Sequence, residues 1–88
     1  MLTDTLRISL AQMNPTVGNV AGNADLVRAA RRRAAADSAD LVMLSELFLS
    51  GYPPEDLVLK PAFQEACREA TEKLAAETAD GGPAILLG

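Results

Sequence analysis

The 88-residue sequence has no histidine, no tryptophan and a single cysteine. Without histidine the chain cannot build a Ser–His–Asp triad, an imidazole base or a histidine-ligated metal centre. One cysteine rules out an intramolecular disulfide, a C-x-x-C redox pair and a zinc knuckle. Such sparing cysteine usage fits a cytoplasmic protein. Aromatic residues make up 3% of the chain, so the core must come from the Ala, Leu and Val that dominate its 49% hydrophobic content. No apolar run approaches the ~20 residues that cross a bilayer. The N-terminal residues lack the basic and apolar regions of a secretory signal. Eight basic residues against twelve acidic ones give a net charge of −4, which argues against nucleic acid as a main partner.

What is present reads as β-α-β-α-β. Leu6, Ile8 and Leu10 alternate with Arg7, Ser9 and Ala11, which predicts a strand over 5–11. Residues 12–19 form a loop, punctuated by Pro15 and Gly18. Over 20–36, Ala24, Val27, Ala30 and Ala34 make a helical stripe with Leu26 beside it. Asn19 is the expected N-cap, and Arg31, Arg32 and Arg33 sit where the helix dipole favours cations. With Arg28 they read as a solvated face, a phosphate or partner contact being the alternative. Leu41 to Leu44 is apolar on both faces, as for a central parallel strand covered by helices.

Further along, 55–60 is a connector, and Pro61 opens a helix running to about residue 78. Its expected buried stripe is Phe63, Cys67, Ala70 and Leu74, with Ala66 alongside and a Glu69–Lys73 pair on the solvent side. Residues 80–83 break that helix, and Ala84 to Leu87 start a third strand. The order implies α/β architecture with parallel strands and right-handed crossovers. At this length the chain is at most one small domain, burying roughly 60–65% of its unfolded surface. Its last strand leaves sheet edges open, which natural proteins normally protect.

The informative stretch is SELFLSGYPPEDLVLKPAF, residues 45–63. Here an apolar strand runs into Glu46, then into a turn holding Gly51, the only Tyr (Tyr52) and two prolines. Ligands of open parallel sheets sit beyond the carboxyl ends of the strands. By position alone Glu46 reads first as a solvated loop acid and second as a functional carboxylate. Tyr52 reads as an aromatic anchor for the turn, its ring between prolines. Gly51 would permit a positive φ or a close backbone approach. Glu55 and Asp56 read as makers of loop hydrogen bonds, and Met13 and Phe48 as core or pocket wall. Cys67, mid-helix on an apolar stripe, reads as a small core residue rather than a reactive thiol.

The same stretch resembles the general-base segment of the carbon–nitrogen hydrolase (nitrilase) superfamily. GYPPEDL at 51–57, followed by Lys60-Pro61-Ala62-Phe63, is similar within it to the glutaminase domains of glutamine-dependent NAD synthetases. LRISLAQMNPTVGNVAGN at 6–23 and AILLG at 84–88 extend the likeness over essentially the whole chain. One departure is Ser45, where many relatives carry Pro before the base.

The resemblance implies a four-layer α-β-β-α sandwich, of which residues 1–88 would be the N-terminal portion, with no linker or second domain within these residues. It implies that Glu46 is the general base of a Glu–Lys–Cys triad and that Tyr52 lines the pocket for L-glutamine. The triad Lys and Cys would lie beyond residue 88, since neither Lys60, Lys73 nor Cys67 occupies the motif, so the chain alone is expected to be inactive. The implied parent enzyme hydrolyses glutamine and passes ammonia to a synthetase domain. That domain uses ATP and Mg to amidate deamido-NAD to NAD, and the parent is expected to be a homo-oligomer. Two other readings stand beside this one: another amidase of the superfamily, or a small non-enzymatic α/β binding module.

Overall fold

A computed structural model describes residues 4–88. It contains strand β1 (Ile8–Leu10), helix α1 (Val20–Ala36), strand β2 (Leu41–Met43), helix α2 (Pro61–Glu77) and strand β3 (Ala84–Leu86). Short 3₁₀ turns at Glu55–Leu59 and Thr78–Asp80 flank α2. The three strands form one parallel sheet in the order β1-β2-β3. The expected element order and α/β class are therefore present, with strands shorter than their sequence periodicity suggested.

α1 has the bounds that its pattern predicts, and its ends show why. Asn19 Oδ1 accepts the Gly22 N–H at 3.1 Å, and Asn19 O accepts the Asn23 N–H at 2.8 Å. At the far end Ser38 adopts φ +59°. Ser38 N–H then reaches Ala35 O and Ala39 N–H reaches Ala34 O, which satisfies the last carbonyls in the manner usually reserved for a glycine cap. The link into β2 is tied to β1: Arg7 N–H donates to Asp40 Oδ2, and Asp40 N–H donates to Arg7 O.

The register places Ser9, Val42 and Ile85 side by side on one face of the sheet. That face meets the helices, and Val42 is fully buried there with Ala24, Val27, Ala30, Ala34, Phe48 and Leu74. The opposite face carries Ile8, Leu41 and Ala84 in one row and Leu10, Met43 and Leu86 in the next. Both helices lie on the first side, so β2 is central but covered on one face only, contrary to the expectation of helices on both. The apolar side of β1 consequently faces outward: Ile8 is 42% exposed and Leu10 67%.

α2 also departs from expectation. Only Leu74 of its stripe is buried, while Phe63, Ala66, Cys67 and Ala70 are half-buried. The reason is position: α1 packs on β2, whereas α2 packs chiefly on α1 and on the 3₁₀ turn before it. Glu69 and Lys73 do not pair; the ion pairs on this helix run from Arg68 to Glu65 and Glu72. Nor are all the arginines of α1 solvated. Arg28 forks onto Glu77 with three hydrogen bonds of 2.8–3.1 Å. Arg31, its side chain 13% exposed, grips Asp80 and the Pro83 carbonyl. These arginines clasp α1 to the end of α2, a contact that helical periodicity cannot reveal because its partners lie more than 45 residues away.

Candidate functional site

The carboxyl ends of the three strands converge. Ala11 N–H donates to Met43 O at 3.0 Å, and Leu44 N–H to Leu86 O at 3.1 Å. Glu46 follows directly on β2 at this end of the sheet. Its backbone lies close to the end of β3, since a Cβ added to Gly88 would sit 3.6 Å from Glu46 Cα. The carboxylate side chain is exposed. The structure thus places this residue where the spacing after an apolar strand put it.

The turn that carries Glu46 has an exposed arm, 45–47, and a buried arm, 48–51. Leu47 separates them at φ +52°, a left-handed conformation that a bulky side chain adopts only when its surroundings enforce it. The enforcement is visible. Phe48 is fully buried and Leu49 is 5% exposed, so the chain must dive inward immediately after Leu47. Gly51 N–H closes the turn onto Leu47 O at 3.0 Å and Phe48 O at 3.2 Å. Ser50 Oγ lies 3.0 Å from the carbonyl oxygens of both Leu47 and Gly51. Gly51 itself has φ +80°, and a Cβ there would stand 2.5 Å from Val17 Cα. Both expected reasons for a glycine at this position hold together.

Tyr52 follows at the far end of the turn, 64% exposed, with a cis peptide to Pro53. It is not packed away as an anchor. Glu46 and Tyr52 thus bracket one buried hinge of backbone and both face solvent, with no hydrogen bond between their side chains. Glu55 adopts φ +51° and Asp56 lies in the 3₁₀ turn; both are exposed.

Cys67 is half-buried on α2, beside a shallow groove shared with Leu47, Ser50, Thr71 and Leu87. Burial pushes its thiol up from the ordinary value, which keeps it protonated and a poor nucleophile. Lys60 and Lys73 are exposed on or next to α2. Among the described residues no three Cys, Asp or Glu side chains converge as a metal site, and no helix is long and apolar enough to cross a membrane.

Sequence reasoning missed Asn23. It is 1% exposed and one of the four largest fully buried side chains. Its Oδ1 accepts the Thr16 N–H at 2.9 Å. Its Nδ2 donates to Thr16 O at 2.8 Å and to Leu49 O at 2.9 Å. Gly18 N–H adds a parallel bond to Ser50 O at 2.9 Å. The loop before α1 and the turn after Glu46 are thereby held as one unit. The signal was available, because Asn23 falls on the same helical stripe as Ala24 and Val27, where a polar side chain demands partners.

Comparison with known proteins adds to this geometry. The sequence model of the family described as "Carbon-nitrogen hydrolase" matches residues 7–88. A glutamine-dependent NAD(+) synthetase of Rhodobacter capsulatus is 52% identical over 87 residues, covering 99% of this chain and 16% of that protein. Those of Thermotoga maritima and Synechocystis sp. are 43% and 47% identical, with 94% and 92% of this chain covered and 14% of each relative. The solved structure of glutamine-dependent NAD+ synthetase from Acinetobacter baumannii, in complex with ADP, superposes with a TM-score of 0.83 at 29% identity. It covers 94% of this chain and 15% of that one. The chain therefore spans about a sixth of the length of such relatives. A match that runs from β1 to the last residue, on a parallel sheet with an acidic turn beyond its central strand, settles kinship: this chain belongs to the carbon–nitrogen hydrolase family.

Proposed function

We propose that the chain is the opening segment of the glutaminase part of a glutamine-dependent NAD synthetase, and that Glu46 is its general base. The observation that carries this reading is the placement of an exposed carboxylate on a backbone-locked turn at the carboxyl end of β2. The NAD synthetases among its relatives, at up to 52% identity, support this over another amidase of the superfamily.

An amide is a poor electrophile, so its hydrolysis needs an activated nucleophile. Glu46 would take the proton from a cysteine thiol supplied by a later part of the enzyme. The thiolate adds to the carboxamide carbon of L-glutamine, and a lysine of that later part stabilises the oxyanion. The C–N bond breaks, the proton passes to the leaving nitrogen, and ammonia departs from a thioester. Water, deprotonated by Glu46, then releases glutamate and restores the thiol. Tyr52 would form part of the wall that holds glutamine. Ammonia would pass to a synthetase domain, where ATP activates deamido-NAD for amidation to NAD. Mg, ATP and deamido-NAD are assigned to that domain, the enzyme to a cytoplasmic homo-oligomer. The 88 residues alone hold a base without its nucleophile and would be inactive.

Glu46→Gln in the full-length enzyme tests the assignment. Glutamine-driven NAD synthesis should fall by about 10²-fold or more, the usual worth of a positioned base, while synthesis from free ammonia continues unchanged. Glutamine-driven activity that survived the substitution would show that Glu46 is not the base.

A further inference from the structure

We propose that Asn23 is a positioning residue for the Glu46 turn, an inference that rests on the reading of Glu46 as the base. The side chain is 1% exposed and spends both of its polar atoms on backbone. Two of its three bonds grip Thr16, and the third reaches Leu49 O, three residues beyond Glu46. That third bond links α1, the best-buried helix, to the arm of the turn that dives into the core.

The turn needs such a tether. Its backbone reverses at Leu47 in a left-handed conformation that local preference opposes. No residue of its exposed arm, 45–47, which carries Glu46, is buried. The position of Glu46 is set from behind, by Phe48 and Leu49 in the core, by Gly51 against Val17, and by the two bonds that join 16–18 to 49–50 through Asn23 and Gly18. Of these, only the Asn23 amide bonds to both segments at once. Removing it leaves Leu49 O and both polar atoms of the Thr16 backbone without those partners, and frees the turn to shift. A shift of about 1 Å in a reacting group can cost about 10²-fold in rate.

The test uses full-length enzyme with Asn23→Ala and Asn23→Asp. The aspartate keeps the shape and the acceptor but loses the two N–H donors. Each variant is labelled with a diazoketone analogue of glutamine and followed by intact mass, alongside glutamine-driven and ammonia-driven synthesis. Expected for either variant that folds is a labelling rate and glutamine-driven kcat about 10- to 100-fold lower. Labelling should still reach one per chain, with ammonia-driven synthesis unchanged. Labelling that is fast but falls short of one per chain would mean a fraction of misfolded sites, and would reduce Asn23 to a purely structural role. Rates within 2-fold of the parent enzyme would equally overturn the proposal. Glu46→Gln run in parallel separates the two readings: if it abolishes labelling while the Asn23 variants label normally, the base stands and the tether falls.

Discussion

Gly51 illustrates how one residue holds a site together. Its φ of +80° is accessible to other residues only at a cost, and the space for a side chain is already filled by the Val17 backbone at 2.5–2.6 Å. Gly81 offers an internal control, with φ +82° but nothing within 4 Å of where a Cβ would stand. Gly81→Ala should therefore cost about 1 kcal/mol of backbone strain alone. Gly51→Ala must add a displacement of the 16–18 loop, and with it of the Glu46 turn. Under the proposed function, Gly51→Ala in the full-length enzyme should lower the melting temperature of the unit that holds this chain by several degrees more than Gly81→Ala. It should also depress glutamine-driven activity, which Gly81→Ala should not. Equal effects of the two substitutions would show that the Val17 contact relaxes freely. At this scale Gly51 was legible in the sequence, since glycine before Tyr-Pro-Pro announces special backbone. Asn23 was missed although its place on the stripe marked it, and Arg31 was read as part of a solvated face, because Leu49, Asp80 and Pro83 are contributed by distant segments.

At the scale of elements, the clasp between α1 and α2 depends on charge. The Arg31 guanidinium donates twice to the Asp80 carboxylate, and the Gly82 N–H adds a third bond. Together they hold Asp80 at about 2, below its ordinary 3.8. Arg28 likewise holds Glu77 below the usual carboxylate range. A carboxylate with a depressed folded value stabilises the folded chain fully above its unfolded value, and that contribution fades as pH falls through the folded one. The clasp should thus act in full above about pH 5 and be lost progressively as pH falls from there toward roughly pH 2. Thermal melts of the parent protein across that window should show a falling melting temperature, and Asp80→Asn should flatten the fall. An unchanged slope in the variant would mean that Arg31 and Asp80 are too well solvated to contribute, as many exposed pairs are. Element bounds were largely readable, because Asn19, Pro61 and the 80–83 breaker are local signals. The depth of α2 was not, because its stripe carries no mark of where the helix lies relative to α1.

At the scale of the whole chain, the described residues form two layers, one sheet and the helices packed on one of its faces. Helices cover the Val42 side of the sheet, while Ile8, Leu10 and Leu86 remain 42–67% exposed on the other. The α-β-β-α architecture of the family would lay a second sheet on such a face. The isolated 88-residue chain is accordingly expected to self-associate at micromolar concentration. Its β2 amides should be protected from hydrogen exchange, with edge strands β1 and β3 exchanging rapidly. Leu10→Glu should shift it toward monomer. A monodisperse monomer with all three strands protected would instead favour a self-contained binding module.

Every feature encoded within a few residues could be read from the chain alone. These are the β-α-β-α-β order, the capped span of α1, the breaker before β3, and an acid placed just past an apolar strand. Period, caps and turn residues act locally, so they can be read without coordinates. Contacts between distant segments settled that no helix of this chain covers the second face of the sheet, that Arg28 and Arg31 are clasps rather than solvated charges, and that Asn23 ties α1 to the turn bearing Glu46. Those outcomes depend on hydrogen bonds and packing between segments 26 to 52 residues apart, and no local pattern specifies which distant backbone will lie opposite a given side chain.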